Sequence, residues 1–228
     1  LQVDGRAIGA LGVQSYHDKF AYSEYHQHLL SLVANQVAGA IFLAYQLECE
    51  KDRRQRRGLQ EKLIEKLPLL ARSNENDFWH AILTYCTHGE CLSFNRAVLW
   101  RFANDGNSIQ GWMGIGHLDK ISWEKDMKGQ ERVSFADYLS LPSLGQLHTT
   151  PLAKETLDWQ HDLTDDHQNP FRHVYKHGTR QAFPAADLDR WSLGQKFITH
   201  EMTPGDRCAI VPWKDGLHTV GVVLVDGH

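Results

Sequence analysis

The stretch that decides the organisation of this chain is SEYHQHLLSLVANQVAGAIFLAYQL, residues 23–47. Ser23 offers a side-chain oxygen to the first unpaired backbone amides of a helix, as an N-cap residue does. Apolar residues then recur at alternating intervals of three and four, the spacing of a heptad seam: Leu30, Val33, Val37, Ala40, Ala44 and Leu47. The seam predicts a helix that packs on a partner helix, and we expect a homodimer through Leu30–Leu47.

A second apolar face accompanies the seam, because Leu29, Leu32 and Leu43 fall beside it. After Leu47 the apolar pattern lapses in a charged block that ends at Arg57. It resumes in a new phase with residues four apart or three apart: Leu59, Leu63, Leu67 and Leu70. Since glycine costs a helix about 1 kcal/mol relative to alanine, Gly58 leaves open whether one helix continues through it.

The composition limits the possible functions. With 228 residues, 42% hydrophobic and 23% charged, the chain has the make-up of one or two globular domains. A net charge of −4 argues against a nucleic-acid partner. No uninterrupted apolar run reaches the length of about 18 residues that marks a span, so we expect no membrane crossing. Four cysteines are few, which indicates reduced thiols and a cytoplasmic location.

The two ends of the chain resemble each other. Near the start, a short strand, the turn Asp4-Gly5 and a second strand to Tyr16 form a predicted hairpin. Near the end, Asp215-Gly216 and Val220-Gly221 fall on Asp4-Gly5 and Ile8-Gly9, roughly 210 residues earlier. An internal repeat of this kind indicates two copies of one module.

The repeat sets the expected domains. Residues 1–47 are the closing hairpin and last helix of a first module, and residues 48–66 are a charged helical linker. Residues 67–228 are a second module without its last helix, so we expect the chain to be a piece of a longer protein.

The second module is predicted to be α+β, with an antiparallel sheet, helices on one face and a covered pocket on the other. A predicted turn at Asn104-Asp105-Gly106-Asn107 separates two of its strands. Ser73 or Asn74 is predicted to cap one of its helices, and Ser134 is predicted to cap another. The predicted strands are 94–102, 108–115, 208–213 and 219–225, and the predicted helices are 59–70, 76–87, 121–128, 135–139, 170–177 and 188–193. The helices between 116 and 204 belong to a long insertion in the sheet.

Several segments resemble the GAF domain family. Ile8–Tyr16 with Leu29–Ile41 is similar to the closing hairpin and last helix of one GAF domain. In a second domain, Leu92–Trp100 and Met113–Gly116 resemble the first two strands, and 209–214 with 220–226 resemble the closing hairpin. Residues 117–205 match only loosely.

The resemblance implies a sensory module of a signalling protein, often in tandem with another and joined to it by a long helix. It implies a six-stranded antiparallel sheet, with a small-molecule pocket or a dimer surface. Output domains of such proteins include the histidine kinases of two-component systems. These residues contain no kinase, cyclase or ATPase motif, so we expect no catalytic activity from them.

Tryptophans flank or lie within the insertion and are the candidate ligand-binding residues, because aromatic walls suit a planar ligand: Trp100, Trp112, Trp123, Trp159 and Trp191. The alternative is that they only close the core over the sheet. The cofactor is unknown, and the resemblance implies no covalent bilin, because no cysteine lies between Cys91 and Cys208 to anchor one.

Cys86, His88 and Cys91 are candidate metal ligands, but a closed zinc site needs a fourth ligand at a matching spacing. A thiol- or metal-dependent redox enzyme that uses Cys86, Cys91 or Cys208 is therefore the alternative function. Four histidines, His161, His167, His173 and His177, are spread over the insertion and are expected at the surface.

Overall fold

A computed structural model describes residues 2–3, 6–7, 9–10, 23–116, 133–141, 144, 151–163, 169–184, 187 and 207–227. The chain divides into two compact units, Leu1–Arg57 and Gly58–His228. The boundary between the two units falls inside the predicted linker, residues 48–66. Leu59 and Leu63, in the second half of that linker, are buried among residues of the second unit. The predicted helices at 121–128 and 188–193 lie outside the described residues.

The first unit begins with a two-stranded antiparallel ladder. Strands β1 (Gln2–Val3) and β2 (Arg6–Ala7) pair Gln2 with Ala7, as the predicted hairpin requires. The predicted second strand is shorter than expected, because Gly9 and Ala10 are described and are not part of a strand. The turn at Asp4-Gly5 and residues 11–16 lie outside the described residues.

Helix α1 runs from Glu24 to Ser73 without a break at Gly58. Its first turn is capped as predicted, since the Ser23 hydroxyl accepts a hydrogen bond from the His26 backbone N–H at 3.5 Å. Pro68 lies inside the helix near its end. The sequence had left the continuity open, and the helix absorbs Gly58 at the modest cost that a single glycine carries.

Part of α1 is long and apolar enough to cross a membrane, judged by length and composition. Residues 29–47 contain no Asp, Glu, Lys or Arg, and only 6% of the qualifying window is buried. We expected no span, because no uninterrupted apolar run reaches about 18 residues. Core helices of soluble proteins and signal sequences share these properties, so the property is weak evidence of a membrane segment.

The second unit is built on one six-stranded antiparallel sheet in the order β5-β4-β3-β8-β7-β6. Its strands are β3 (Arg96–Phe102), β4 (Ser108–Gly116), β5 (Gln160–Asp162), β6 (Gln181–Pro184), β7 (Arg207–Asp215) and β8 (His218–Gly227). The predicted hairpins are confirmed as β3–β4 and β7–β8. The α+β class with an antiparallel sheet is also confirmed.

The described residues of the second unit include four helices after α1. They are α2 (Glu75–Thr87), α3 (Phe135–Tyr138), α4 (Pro151–Thr156) and α5 (Pro170–His177). Three of them, α2, α3 and α5, begin behind a capping side chain. The N-cap of α2 is Asn74 rather than Ser73, because the Asn74 side chain accepts from the Asn76 backbone N–H. The Ser134 hydroxyl caps α3 by accepting from the Asp137 N–H, which confirms the predicted capping residue.

The sheet carries a packed cluster on each of its faces. The inner face, which includes Val98, Trp100 and Leu224, packs on residues of the insertion. The outer face, which includes Leu99 and Val225, packs on α2. Neighbouring strand residues point to opposite faces, so these two clusters account for both sets of side chains.

A buried ion pair joins the two central strands. Arg96 and Asp226 lie directly opposite each other on β3 and β8. The Arg96 Nε donates to Asp226 Oδ2 at 2.6 Å, and Nη2 lies 2.5 Å from the same oxygen. Both side chains are buried, 9% and 0% exposed. Removal of one partner therefore leaves a charge without its counter-ion in the protein interior.

We predict that Asp226→Asn destabilises the second unit by about 3–5 kcal/mol, the usual cost of removing one partner from a buried pair. Urea unfolding followed by far-ultraviolet circular dichroism measures the loss. The double variant Arg96→Met/Asp226→Leu removes both charges and should recover most of the stability. A single variant as stable as the wild type would contradict a structural role for the pair.

Candidate functional site

Two of the five predicted ligand-binding tryptophans meet on the inner face of the sheet. Trp100 is on β3 and Trp159 comes just before β5; they are 1% and 4% exposed. Their ring centroids are 5.7 Å apart with planes at 23°, and Phe171 of α5 meets Trp100 edge-on at 5.8 Å. Stacked and edge-to-face pairs at these distances are favourable for aromatic rings. We call Trp100, Trp159 and Phe171 the inner aromatic cluster.

The inner aromatic cluster is closed at one side by α4. Gly111 and Gly114 of β4 face this helix, and a Cβ atom on either would collide with Thr156. The Thr156 hydroxyl is occupied, since it donates to the Leu152 carbonyl at 2.6 Å. The two glycines therefore let the helix approach the strand closely, and the helix covers the neighbouring part of the inner face.

Trp100 brings an unusual polar feature to this cluster. Its indole Nε1–H is buried and has no hydrogen-bond acceptor in the described part of the chain. A buried donor without an acceptor costs about 1–3 kcal/mol. A small molecule with an acceptor atom beside the ring would satisfy this donor.

Trp112 lies on the opposite, outer face of the sheet. The Arg101 guanidinium sits 3.0 Å from its ring centroid, and Trp213 stacks on it at 5.9 Å. Arg101 also pairs with Glu75 of α2 at 2.9 Å. Trp112 therefore helps to hold α2 on the sheet. It does not lie beside Trp100 and Trp159, although all three were predicted to bind the ligand. Trp123 and Trp191 lie outside the described residues.

Trp213 was not among the residues predicted to bind a ligand or to close the core over the sheet. The alternation of side chains along β7 could have indicated its position, because it places Trp213 on the face opposite Ile210. Trp79 of α2 meets it edge-on at 4.5 Å. The outer face thus carries an aromatic set of its own, which packs α2 and is half-exposed at Trp112 and Trp213.

The candidate metal ligands are not brought together. Within the described ranges, no group of three or more His, Cys, Asp and Glu side chains is placed to hold a metal ion. His88 lies at the C-cap of α2, with its Nε2 3.1 Å from the Val133 carbonyl oxygen. Cys91 is buried beside α3, whereas Cys86 is a residue of α2 and packs against the cluster on the outer face.

Within the described residues, none of the four cysteines forms a disulfide bond. Cys86, Cys91 and Cys208 belong to three different packing clusters. Burial raises the pKa of the Cys86 thiol from 9.0 to about 11. A nucleophilic cysteine needs a lowered thiol pKa and access to solvent, so the geometry argues against the alternative of a redox enzyme that uses these residues.

A buried polar network connects α2 and α3, and it was not predicted from the sequence. The His80 Nδ1 and the Tyr138 hydroxyl are 2.5 Å apart, and Thr84 donates to the same hydroxyl at 3.2 Å. Burial raises the pKa of Tyr138, and the negative charge of Asp77 adds to the rise. The partners are 58 residues apart, so no local motif indicates the network.

No family model matches the chain, and no curated protein matches it. Among solved structures, the chain is similar to the nlh2 GAF domain of A. Aeolicus in an inactive state, with 11% identity and a TM-score of 0.42. The match covers 75% of this chain and 82% of that one. A likeness of this size carries no information about ligand, activity or partners.

The class of protein follows from the strand pairings. Six antiparallel strands flanked by helices, together with a long helix, are the features that the resemblance to GAF domains implied. The fold is therefore α+β, and its antiparallel sheet is consistent with a GAF-like fold. The tandem arrangement of two such modules stays a prediction.

We predict that Cys86 in the native protein reacts with iodoacetamide about 100-fold more slowly at pH 8 than in urea, because a pKa raised from 9.0 to about 11 lowers the thiolate fraction by that factor. Peptide mass spectrometry measures the reaction at each thiol. Equal rates in the two states would contradict the burial argument. The same rise in the pKa of Cys86 contributes stability that is fully present below pH 9 and is lost as the pH rises from 9 through about 11.

Proposed function

We propose that this chain is a sensory or regulatory GAF-like module of a cytoplasmic signal-transduction protein, and that it acts as a homodimer through α1. The observation that carries the proposal is the apolar surface of α1 before its charged block. Nine large apolar side chains there are 36–72% exposed, well above the level of a core residue: Tyr25, Leu29, Leu32, Val33, Val37, Ile41, Leu43, Tyr45 and Leu47.

The heptad seam supports a second copy of the chain as the occupant of this surface. Val33, Val37 and Leu47 belong to the seam and are 45%, 36% and 64% exposed. Full burial of a leucine or valine side chain contributes about 1.5–3 kcal/mol. Seam residues repeated every three and four positions bury one another when two such helices align.

The charge distribution supports an end to the interface near Leu47. The next ten residues carry most of the charge of the helix, and the Arg54 guanidinium pairs with Glu50 one turn earlier at 3.2 Å. Both side chains are at least half exposed, so the pair contributes little stability. It keeps this segment solvated.

In the proposed mechanism, a signal shifts the dimer helices between two packing arrangements. Leu59 and Leu63, later in the same helix, belong to the buried core of the second unit. A change in the packing of that core therefore bears directly on α1. An output domain beyond these residues would read the rearrangement as a population shift.

We predict that Val37→Glu converts the protein from dimer to monomer. An unpaired carboxylate in the seam costs about 3–5 kcal/mol, which raises the dimer dissociation constant by more than about 100-fold. Analytical ultracentrifugation measures the change. Asn35→Glu adds the same charge outside the seam and is the matched control, which should stay dimeric.

Two outcomes would overturn the dimer. One is a wild-type protein that sediments as a monomer at all concentrations. The other is flotation of the wild-type protein with phosphatidylcholine vesicles, lost in Val37→Glu but kept in Asn35→Glu, which would assign the apolar part of α1 to a membrane.

A second candidate function is small-molecule binding at the inner aromatic cluster. The specific observation in its favour is the Trp100 indole N–H, buried without an acceptor among the described residues. The close packing of Trp100, Trp159 and Phe171 favours the opposite case, a module without a ligand. The ligand that fits the N–H is planar, largely apolar and carries one acceptor atom.

We predict for this candidate that native mass spectrometry finds a small molecule on the purified wild-type protein, and that Trp100→Phe loses it. The variant keeps an aromatic ring but removes the donor. Trp112→Phe changes the outer face and should keep the molecule. Wild-type protein that carries no added mass would exclude a co-purifying ligand and leave the dimerising module as the function.

A further inference from the structure

Two histidines of α5 stand together at the surface. His173 and His177 are four residues apart, so they lie one above the other on the same face of the helix. Their ring centroids are 4.5 Å apart, with the planes at 44°. Both residues are exposed. This is the spacing at which two imidazoles on a helix bind one metal ion together, as in metalloprotease helices.

The helix that carries the pair is fixed at both ends. The Asn169 side chain accepts from the Phe171 backbone N–H at 2.9 Å, and Gly178 ends the helix in the left-handed conformation with φ of 58°. Phe171 and Val174 are fully buried in the inner core. Because the backbone is held at the caps and by this core, the two imidazoles keep their spacing without a metal ion.

We propose that His173 and His177 form a binding site for a divalent transition-metal cation of the Zn²⁺, Ni²⁺ or Cu²⁺ class. Each imidazole supplies one nitrogen, and imidazole nitrogens select these ions over Mg²⁺ and Ca²⁺, which take oxygen ligands. His177 lies in the last turn of α5, where the helix dipole favours a cation.

The charges around the pair set the expected strength of the site. Lys176 lies in the same turn, and the Lys214 ammonium lies close to the Cα of Gly178. These positive groups oppose a cation, so the site binds less tightly than a closed four-ligand site. His161 is engaged elsewhere, with its Nε2 3.5 Å from the side-chain nitrogen of Asn169.

The site is open in its coordination. In the parts of the chain that the structure describes, no third His, Cys, Asp or Glu side chain joins a metal-holding group. Two protein nitrogens leave at least two positions of a tetrahedral ion for water or for a donor from another molecule. The ion would therefore exchange readily.

The test is isothermal titration of the full chain, without a polyhistidine tag, with NiCl₂ and ZnCl₂. We expect one equivalent of binding that is absent in His173→Ala/His177→Ala. Each single variant should bind about 100-fold more weakly, because the second ligand acts intramolecularly. MgCl₂ should give no binding at the same concentrations. The control His28→Ala/His218→Ala removes two exposed histidines elsewhere and should keep the equivalent.

A second measurement on the wild-type protein does not depend on the folding of a variant. Diethyl pyrocarbonate modifies exposed imidazoles, and peptide mass spectrometry locates the modified residues. We expect Ni²⁺ to slow modification of His173 and His177 while His28 and His218 react at unchanged rates. Unaltered nickel affinity in the double variant, or equal protection of all four histidines, would overturn the proposal.

Discussion

The pairing of β3 with β8 is the constraint on which the second unit depends. It places Arg96 opposite Asp226, 130 residues later in the chain, and continues through Trp100 opposite Val222. The strands on either side extend this central pair into the six-stranded sheet. The inner aromatic cluster is assembled on it, because Trp100 is part of β3 and the insertion folds back over its inner face.

Local signals predicted most of the elements of this fold. Asp105 and Asp215 mark the two hairpins, and capping side chains at Ser23, Asn74 and Ser134 mark the starts of helices. Each signal lies within a few residues of the backbone groups it satisfies, so a single sequence contains it. The continuity of α1 through Gly58 was not predictable in this way, because the cost of one glycine is small beside the stabilisation of the rest of the helix.

The candidate site was only partly predictable, for reasons that concern register and distance. A β-bulge lies between Leu99 and Trp100, which pair with Met113 and Gly111. Trp112 is the extra residue in that bulge, so simple alternation along β4 does not give its face. Cys86 and Cys91 are close in sequence, but α2 ends between them, and their side chains therefore pack in different clusters. The contact of His80 with Tyr138 depends on the fold of the insertion.

Gly58, the first residue of the second unit, affects the stability of α1. A Cβ atom there would meet nothing within 4 Å, so steric crowding does not require glycine at this position. An alanine would strengthen the helix by about 1 kcal/mol, because glycine loses more backbone freedom when it becomes helical. The natural residue therefore leaves α1 less stable at this position than the space around it requires.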